Sequence, residues 1–84
     1  MKEFNVRVES TNNFRIVPRE EAIKEAKRQI KSMLEQGYRL PFIFVNFYHE
    51  ETKEHLGSVK LINKEDIELV DVDMRICTIK ALLN

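Results

Sequence analysis

The 84-residue chain has few of the residues that interrupt or cross-link a fold. It contains two glycines, two prolines, one cysteine and no tryptophan. A single cysteine excludes an internal disulfide and favours a reducing compartment. Because glycine and proline are so scarce, the sequence offers no flexible linker. We therefore expect residues 1–84 to form a single domain with a thin but adequate core.

Long apolar runs and an excess of one charge are also missing. No window approaches the roughly 20 apolar residues of a membrane span, and the first residues lack the apolar run of a secretory signal. We expect a cytoplasmic protein that does not bind membranes. The 14 basic and 14 acidic residues cancel, which argues against attraction of the whole molecule to nucleic acid.

The cancelling charges are distributed unevenly. Residues 1–41 carry nine Lys and Arg against six Asp and Glu, whereas residues 42–84 carry five against eight. A chain with this asymmetry could steer toward a charged partner or pair with itself head to tail. The alternative is a neutral surface on which the asymmetry has no consequence.

The N-terminal third predicts a β-hairpin followed by one long helix. Phe4, Val6 and Val8 alternate with polar residues, and residues 14–17 can form a second short strand. Pro18 suits the first position of a helix that we expect from Arg19 to Gln36. Apolar residues recur at helical spacing and form one stripe: Ile23, Ala26, Ile30, Met33 and Leu34. Gly37 is the expected C-terminal cap, with Tyr38 packing back on the last turn.

The remaining sequence predicts mainly strands. We expect them over residues 42–50, 56–62 and 67–73, with polar turns between them. The tail, residues 74–84, fits either a strand or a helix capped by Asp73, and we expect a strand over residues 74–80. The predicted fold class is α+β, an antiparallel sheet of four to five strands with one principal helix packed on one face. Its order is β(β)αβββ plus a C-terminal strand or short helix.

The strand at 42–50 is the richest in aromatic residues. Both of its faces are mainly apolar, so we expect a central strand covered at least partly on both sides. The face formed by Ile43, Val45 and Phe47 is expected to lie under the helix. For the opposite face little sequence remains to cover it, and we take three of its residues as candidate binding residues: Phe42, Phe44 and Tyr48.

This strand resembles part of the RNA-recognition motif, in which a basic residue and a glycine precede F/Y-G/A-F-V-x-F/Y. The match covers Phe42 to Phe47. In that family the first two aromatic side chains stack on bases, which would be Phe42 and Phe44 here. Leu40 and Pro41 replace the basic residue and glycine, and Ile43 replaces the small residue. We therefore assign the chain to no family and take a core strand as the simpler interpretation.

The predicted helix carries a basic stripe beside its apolar face, formed by Lys24, Lys27, Arg28 and Lys31. A phosphate backbone or an acidic protein surface could lie along it. The alternative is a solvated face on which Glu20 pairs with Lys24, and Lys31 with Glu35.

The two histidines are the chief chemical candidates. A three-residue turn would place His49 and His55 opposite each other, with Cβ atoms about 5 Å apart. With a nearby carboxylate they could bind a divalent metal, but HEETKEH lacks the HExxH spacing. They are weak metal candidates, and we assign no metal and no cofactor.

Two further groups are given structural interpretations. Asp71 and Asp73 share one strand face and are expected to be solvated, where acidic residues discourage edge-to-edge pairing. Cys77, between Ile76 and Thr78, is expected to be a small core residue.

No nucleophile, base and orienting group can be placed together, so we expect no enzyme. The sequence predicts a small non-catalytic protein–protein interaction or regulatory module whose partner is another protein or a second copy in a homodimer. The alternative is a nucleic-acid-binding module that uses the basic helix stripe or the aromatic strand face.

Overall fold

A computed structural model describes residues 3–11, 13–40, 43–73 and 75–83. In chain order these residues form β1 (Asn5–Glu9), β2 (Phe14–Pro18), a 3-10 turn (Arg19–Glu21), α1 (Ala22–Glu35), β3 (Phe44–His49), β4 (His55–Asn63), β5 (Glu68–Asp71) and α2 (Thr78–Leu83). The predicted α+β class and the order of its elements are confirmed.

The strands form one antiparallel sheet with the order β2-β1-β3-β4-β5. β1 pairs with β2 through a hairpin. It also pairs with β3, although β2 and α1 lie between these two strands in the sequence. β3 is the middle strand, as the sequence predicts. β2 and β5 are the two edges of the described sheet. Because four antiparallel steps separate them, they run in the same direction.

The core lies between one face of the sheet and the apolar stripe of α1. Val45 and Phe47 of β3, and Ile43 just before it, are fully buried, which confirms the face predicted to lie under the helix. The other buried apolar side chains are Val6, Val8, Val17, Ala22, Ile23, Ala26, Ile30, Met33, Val59, Leu61 and Leu82. Strand alternation therefore sends every second residue of the central strands into one core.

The C-terminal end of α1 has the predicted cap. Gly37 adopts φ 95°, a conformation that costs a residue with a Cβ atom free energy. The Gly37 amide donates to the Leu34 carbonyl and the Tyr38 amide to the Met33 carbonyl, both at 3.1 Å. This pair of bonds defines a Schellman motif, and Tyr38 packs against the core as expected.

The predicted strand over residues 74–80 is wrong, since the tail folds into the helix α2. Met74 itself lies outside the described residues. The amide of Ile79 donates to the Asp71 carboxylate at 3.0 Å, which satisfies one free donor of the first helical turn. Ile79 and Leu82, three residues apart, therefore face the core with helical rather than strand spacing.

Two contacts from distant parts of the chain hold α2 in place. The buried guanidinium of Arg19 lies 3.4 Å from the carbonyl oxygens of both Ala81 and Leu82. A cation in this position stabilises a helix, because the C-terminal end of the helix dipole is negative. Thr78 lies against Gly57, where a Cβ atom would come within 1.9 Å of the threonine hydroxyl. Neither contact is visible in the local sequence of the tail.

α2 lies on the same side of the sheet as α1. It contacts α1 as well as β4 and β5, and Leu82 joins the core under α1. Among the described residues, no helix covers the opposite face of the sheet. We call this opposite face the open face.

Candidate functional site

The open face is built by the residues that alternate with the buried ones. It includes Phe44, Asn46 and Tyr48 of β3, Arg7 and Glu9 of β1, Phe14 and Ile16 of β2, Ser58 and Lys60 of β4, and Val70 and Val72 at β5. Strand pairing places β1 and β3 at its centre and β2 at one side. Two of the three predicted aromatic binding residues lie here, whereas Phe42 is outside the described residues.

Several large apolar side chains of the open face are exposed to solvent. Phe44 is 45% exposed, Phe14 52%, Ile16 43% and Val72 48%. On the same strand as Phe44, its neighbours Ile43 and Val45 are completely buried. Exposed apolar groups that share one face are typical of a surface that contacts another molecule.

A polar row crosses this face between the apolar groups. The Arg7 Nε atom donates to the Glu9 carboxylate at 2.9 Å. The guanidinium carbon of Arg7 lies 4.0 Å from the centre of the Phe14 ring, within the range of a cation–π contact. These contacts hold Arg7 flat along the sheet and leave Phe14 open on its other side.

His55 belongs to a hydrogen-bonded cluster with Ser58 and Asn46. Its Nε2 atom lies 3.1 Å from the Ser58 hydroxyl and 3.3 Å from Asn46 Oδ1, and its ring lies 5.2 Å from that of Tyr48. The Ser58 hydroxyl donates to Asn46 Oδ1, so Ser58 Oγ accepts from the imidazole.

The expected pairing of His49 with His55 is wrong. β3 pairs with β4 through Phe47 with Gly57 and then Tyr48 with His55, so one extra residue, Leu56, forms a bulge. His55 consequently lies opposite Tyr48 on the open face. His49 has the same parity on β3 as Phe47, so it lies on the helix side of the sheet and stacks on Phe4, with ring centres 4.7 Å apart.

The ring of His49 is also engaged by the hairpin turn. Its Nδ1 atom accepts from the amides of Glu51 and Thr52 at 3.2 and 3.3 Å. The two imidazoles therefore face opposite sides of the sheet and cannot share a metal ion. Within the described ranges, no group of three or more His, Cys, Asp or Glu side chains is arranged to hold one.

The basic stripe of α1 is only partly available. Lys24, Lys27 and Lys31 are exposed, and none of them lies within 4.0 Å of a carboxylate among the described residues. The expected pairs of Lys24 with Glu20 and of Lys31 with Glu35 are therefore not formed. Arg28 instead bonds to a buried carboxylate.

That carboxylate belongs to Glu25, which is only 4% exposed. Arg28 Nε donates to Glu25 Oε1 at 2.9 Å, Gln29 Nε2 donates to Oε2 at 3.0 Å, and Arg15 Nη1 lies 3.6 Å away. The Arg28 hydrogen bonds, with smaller contributions from Gln29 and Arg15, lower the pKa of Glu25 from its ordinary value although burial opposes this. Gln29 also donates to the Val8 carbonyl at 2.9 Å, so this cluster joins α1 to β1 and β2.

The acidic pair at the end of β5, Asp71 and Asp73, is also bound within the molecule. Asp71 accepts from the first turn of α2. Asp73 lies 3.2 Å from Arg75, whose hydrogen bonds lower the pKa of Asp73. Cys77 is exposed, so its expected place in the core is wrong, because α2 begins one residue later and turns it outward.

Sequence reasoning missed much of the open face outside β3. Arg7, Phe14 and Ser58 were not singled out, although each alternates with a residue that is buried. They could have been identified by assigning the odd and even residues of every strand to the two faces of the sheet, and not only those of β3. This assignment was obscured in β4, where the bulge at Leu56 changes the parity.

Comparisons with known proteins add no relative. Protein-family models, curated proteins and solved structures give no match to this chain. No helix among the described residues is both long and apolar enough to span a membrane.

Proposed function

We propose that this protein is a small, non-catalytic interaction module whose open sheet face binds another folded protein. The observation that carries the proposal is the exposure of Phe44, at the start of the middle strand of a sheet whose described C-terminal helix lies on the opposite side. Full burial of a phenylalanine is worth about 1.5–3 kcal/mol, and the 45% of Phe44 that stays exposed forgoes roughly half of it. A partner that covers Phe44 would recover it.

The composition of the face supports a protein partner that binds reversibly. Aromatic residues and arginine are enriched in the centres of such interfaces, and here Phe44, Tyr48 and Arg7 lie on adjacent strands. Lys60 is paired across the strands with Phe44 and has no carboxylate within 4.0 Å among the described residues. The matching surface would offer an apolar pocket for Phe44 and an acidic side chain for Lys60.

Site-specific photocrosslinking tests this proposal. A benzophenone amino acid replaces Phe44 in one variant and Lys27, on the exposed side of α1, in a control variant. In cells that make the protein, we expect one discrete crosslinked partner from position 44 and none from position 27. A band at twice the mass of the chain would identify a second copy as the partner on this face. Absence of any crosslink at position 44, or the same bands from both positions, would contradict the proposal.

The partner captured in this way allows a quantitative test. Phe44→Ser should weaken binding by about 30-fold or more, because a central aromatic anchor contributes about 2 kcal/mol or more. Lys27→Ser on the helix is the matched control and should change the dissociation constant less than about twofold. Isothermal titration calorimetry measures both. An equal loss of affinity in the two variants would show that Phe44 does not contribute to the contact.

Nucleic-acid binding remains the alternative function. The free ammonium groups of Lys24, Lys27 and Lys31 support it, as does the exposed stacking surface of Phe44 and Tyr48. The alternative predicts salt-sensitive binding of single- or double-stranded RNA or DNA that is lost when the three lysines become glutamates. Fluorescence anisotropy at about 50 mM salt checks it, and absence of binding there eliminates it. A cytoplasmic location belongs to both proposals and rests on the single, unpaired cysteine.

A further inference from the structure

The edge strand β2 presents unused backbone hydrogen-bonding groups. The amide of Arg19 donates to the Phe4 carbonyl at 3.0 Å, and bonded pairs in an antiparallel ladder recur every second residue. The residues of β2 that bond to β1 are therefore the odd-numbered ones. The N–H and C=O groups of Phe14 and Ile16 point away from the sheet, and their side chains lie on the open face.

The helix side of this edge is basic. A groove of about 380 Å³ runs between β2 and α1, and its cationic lining residues are Arg15, Lys24 and Arg28. Of its two acidic residues, Glu25 is neutralised by contacts with Arg15 and Arg28. The whole segment 15–31 carries six Lys and Arg against three Asp and Glu.

The opposite edge of the sheet has the complementary charge. Residues 65–73 contain five Asp and Glu and no Lys or Arg. The amide of Val72 donates to the Ser58 carbonyl at 3.0 Å, so Val70 and Val72 bond to β4. The backbone groups of Leu69 and Asp71 point outward.

The side chains of the two edges match on both faces. On β2, Arg15 lies on the helix side and Phe14 and Ile16 on the open face. At the other edge, Asp71 of β5 lies on the helix side, and Val70 of β5 and Val72, the residue after the strand, lie on the open face. Because the two strands run in the same direction within one chain, a second copy that is placed beside the first and rotated to follow the sheet twist can bring its β5 parallel to β2.

One register of such a parallel pair satisfies all of these groups together. When Ile16 lies beside Val72 of the second copy, Phe14 lies beside Val70, and Arg15 lies beside Asp71. In a parallel ladder the backbone N–H and C=O groups of Phe14 and Ile16 then bond to backbone groups of the residues on either side of Val70 and Val72. Apolar side chains meet on the open face, and opposite charges meet on the helix side.

From these observations we infer that the chain associates head to tail, with β2 of one copy pairing in parallel with β5 of the next. Pairing of two identical edges is opposed by charge, since β2 with β2 brings Arg15 and Arg28 together and β5 with β5 brings the carboxylates together. The contact is heterologous, so each addition leaves one free edge of each kind and growth continues. Binding of a partner to the open face is not required for this assembly.

Sedimentation of the purified wild-type protein provides the first test. As its concentration rises from about 10 µM to about 1 mM, the weight-average mass should climb to at least about twice the 10.0 kDa of one chain without levelling off. Raising salt from about 0.1 M to about 1 M shortens the Debye length from about 10 Å to about 3 Å and should reduce the assembly. A mass that stays at one chain, or levels off at a dimer, overturns the inference.

Two edge-blocking variants give the sharper test. Ile16→Pro removes an outward N–H that β1 does not use, and Leu69→Pro does the same on β5. Each variant alone should remain monomeric, but an equimolar mixture should form a 1:1 dimer through the one intact edge of each. Ile16→Thr, which keeps the N–H, should still assemble. Because Leu69 packs against the core, Asp71→Asn is the second β5 variant: it keeps an acceptor for α2 and should weaken assembly.

The outcomes separate this contact from the one on the open face. Phe44→Ser should assemble as the wild type does. If Ile16→Pro assembles like the wild type, or if the mixture stays monomeric while both proteins are folded by circular dichroism, head-to-tail pairing is wrong.

Discussion

At the scale of single residues, the buried carboxylate of Glu25 has the largest electrostatic consequence. Its charge is satisfied by Arg28, Gln29 and Arg15, so the folded protein holds the ionised form more strongly than the unfolded chain does. A carboxyl group whose pKa is lower in the folded state stabilises the fold at pH values above its pKa in the unfolded chain. This contribution is lost as the pH falls through the folded-state pKa.

We therefore predict that the free energy of unfolding decreases on acidification below the ordinary glutamate pKa of 4.5, as Glu25 takes up a proton. Glu25→Gln should cost about 1–3 kcal/mol at pH 7, because it weakens the bonds to Arg28. Below the folded-state pKa the two proteins should converge. Urea unfolding between pH 7 and pH 3 measures this, with Glu35→Gln as an exposed control. Wild-type and Glu25→Gln curves that stay parallel over the whole range would contradict the prediction.

Residue-level reasoning from the sequence succeeded where the signal was local. The apolar stripe of α1 and Gly37 lie within a few residues of the structure they specify, and both predictions are confirmed. The predicted helix start is wrong, because Pro18 is the last residue of β2 and a 3-10 turn separates it from α1, which begins at Ala22. The histidine pairing failed because its register depends on one extra residue, Leu56. The neighbouring Gly57 suggests a bulge in this strand, but the pairing of His49 with His55 assumed a regular ladder. The burial of Glu25 is not marked in the local sequence, since Arg15 reaches it from β2.

At the scale of secondary structure elements, α2 depends on contacts made far away in the sequence. Six residues are too few to form a stable helix in isolation. Arg19 binds the carbonyls at one end of α2, and Asp71 binds an amide at the other. These distant partners explain why local pattern could not separate a strand from a helix in this tail.

We predict that Arg19→Met releases α2 while the sheet remains folded. Loss of the guanidinium removes bonds from the carbonyls of Ala81 and Leu82 but keeps an apolar side chain in the core. Amide hydrogen exchange of Ala81, whose N–H bonds to the Cys77 carbonyl at 2.9 Å, should accelerate about tenfold for a loss near 1.4 kcal/mol.

The matched control for this change is Arg75→Met, on a side chain that is 90% exposed. It should leave exchange at Ala81 unchanged. Equal acceleration in both variants, or none in either, would show that Arg19 does not hold the helix.

At the scale of the whole molecule, the sheet has one covered and one open face, and β3 contributes phenylalanines to both. Phe47 is fully buried under α1, whereas Phe44 is 45% exposed on the open face. The sequence predicted which face would be covered, because the helix stripe needs a sheet to pack against. It could not predict that α2 joins the covered side, since that depends on Arg19 and Gly57.

We predict that the two phenylalanines differ sharply in their contribution to stability. Phe47→Ala should cost about 3–5 kcal/mol, as expected for a large side chain removed from a core. Phe44→Ala should stay within about 0.5 kcal/mol of the wild type. Urea unfolding of the isolated protein at low concentration measures both. A cost of several kcal/mol for Phe44→Ala would mean that this face is covered in the protein by itself.

The position of β1 in the sheet also determines how the chain must fold. β2 pairs with β1 after a short hairpin, but β3 pairs with β1 only after α1 has been traversed, and this register joins Val6 to His49. The hairpin of β1 and β2 and the meander of β3, β4 and β5 can each form from nearby residues, whereas joining them requires closure of a long loop. Such non-local closure slows folding relative to helical proteins of the same length. The β1–β3 seam is therefore the step at which we expect the folding rate to be set.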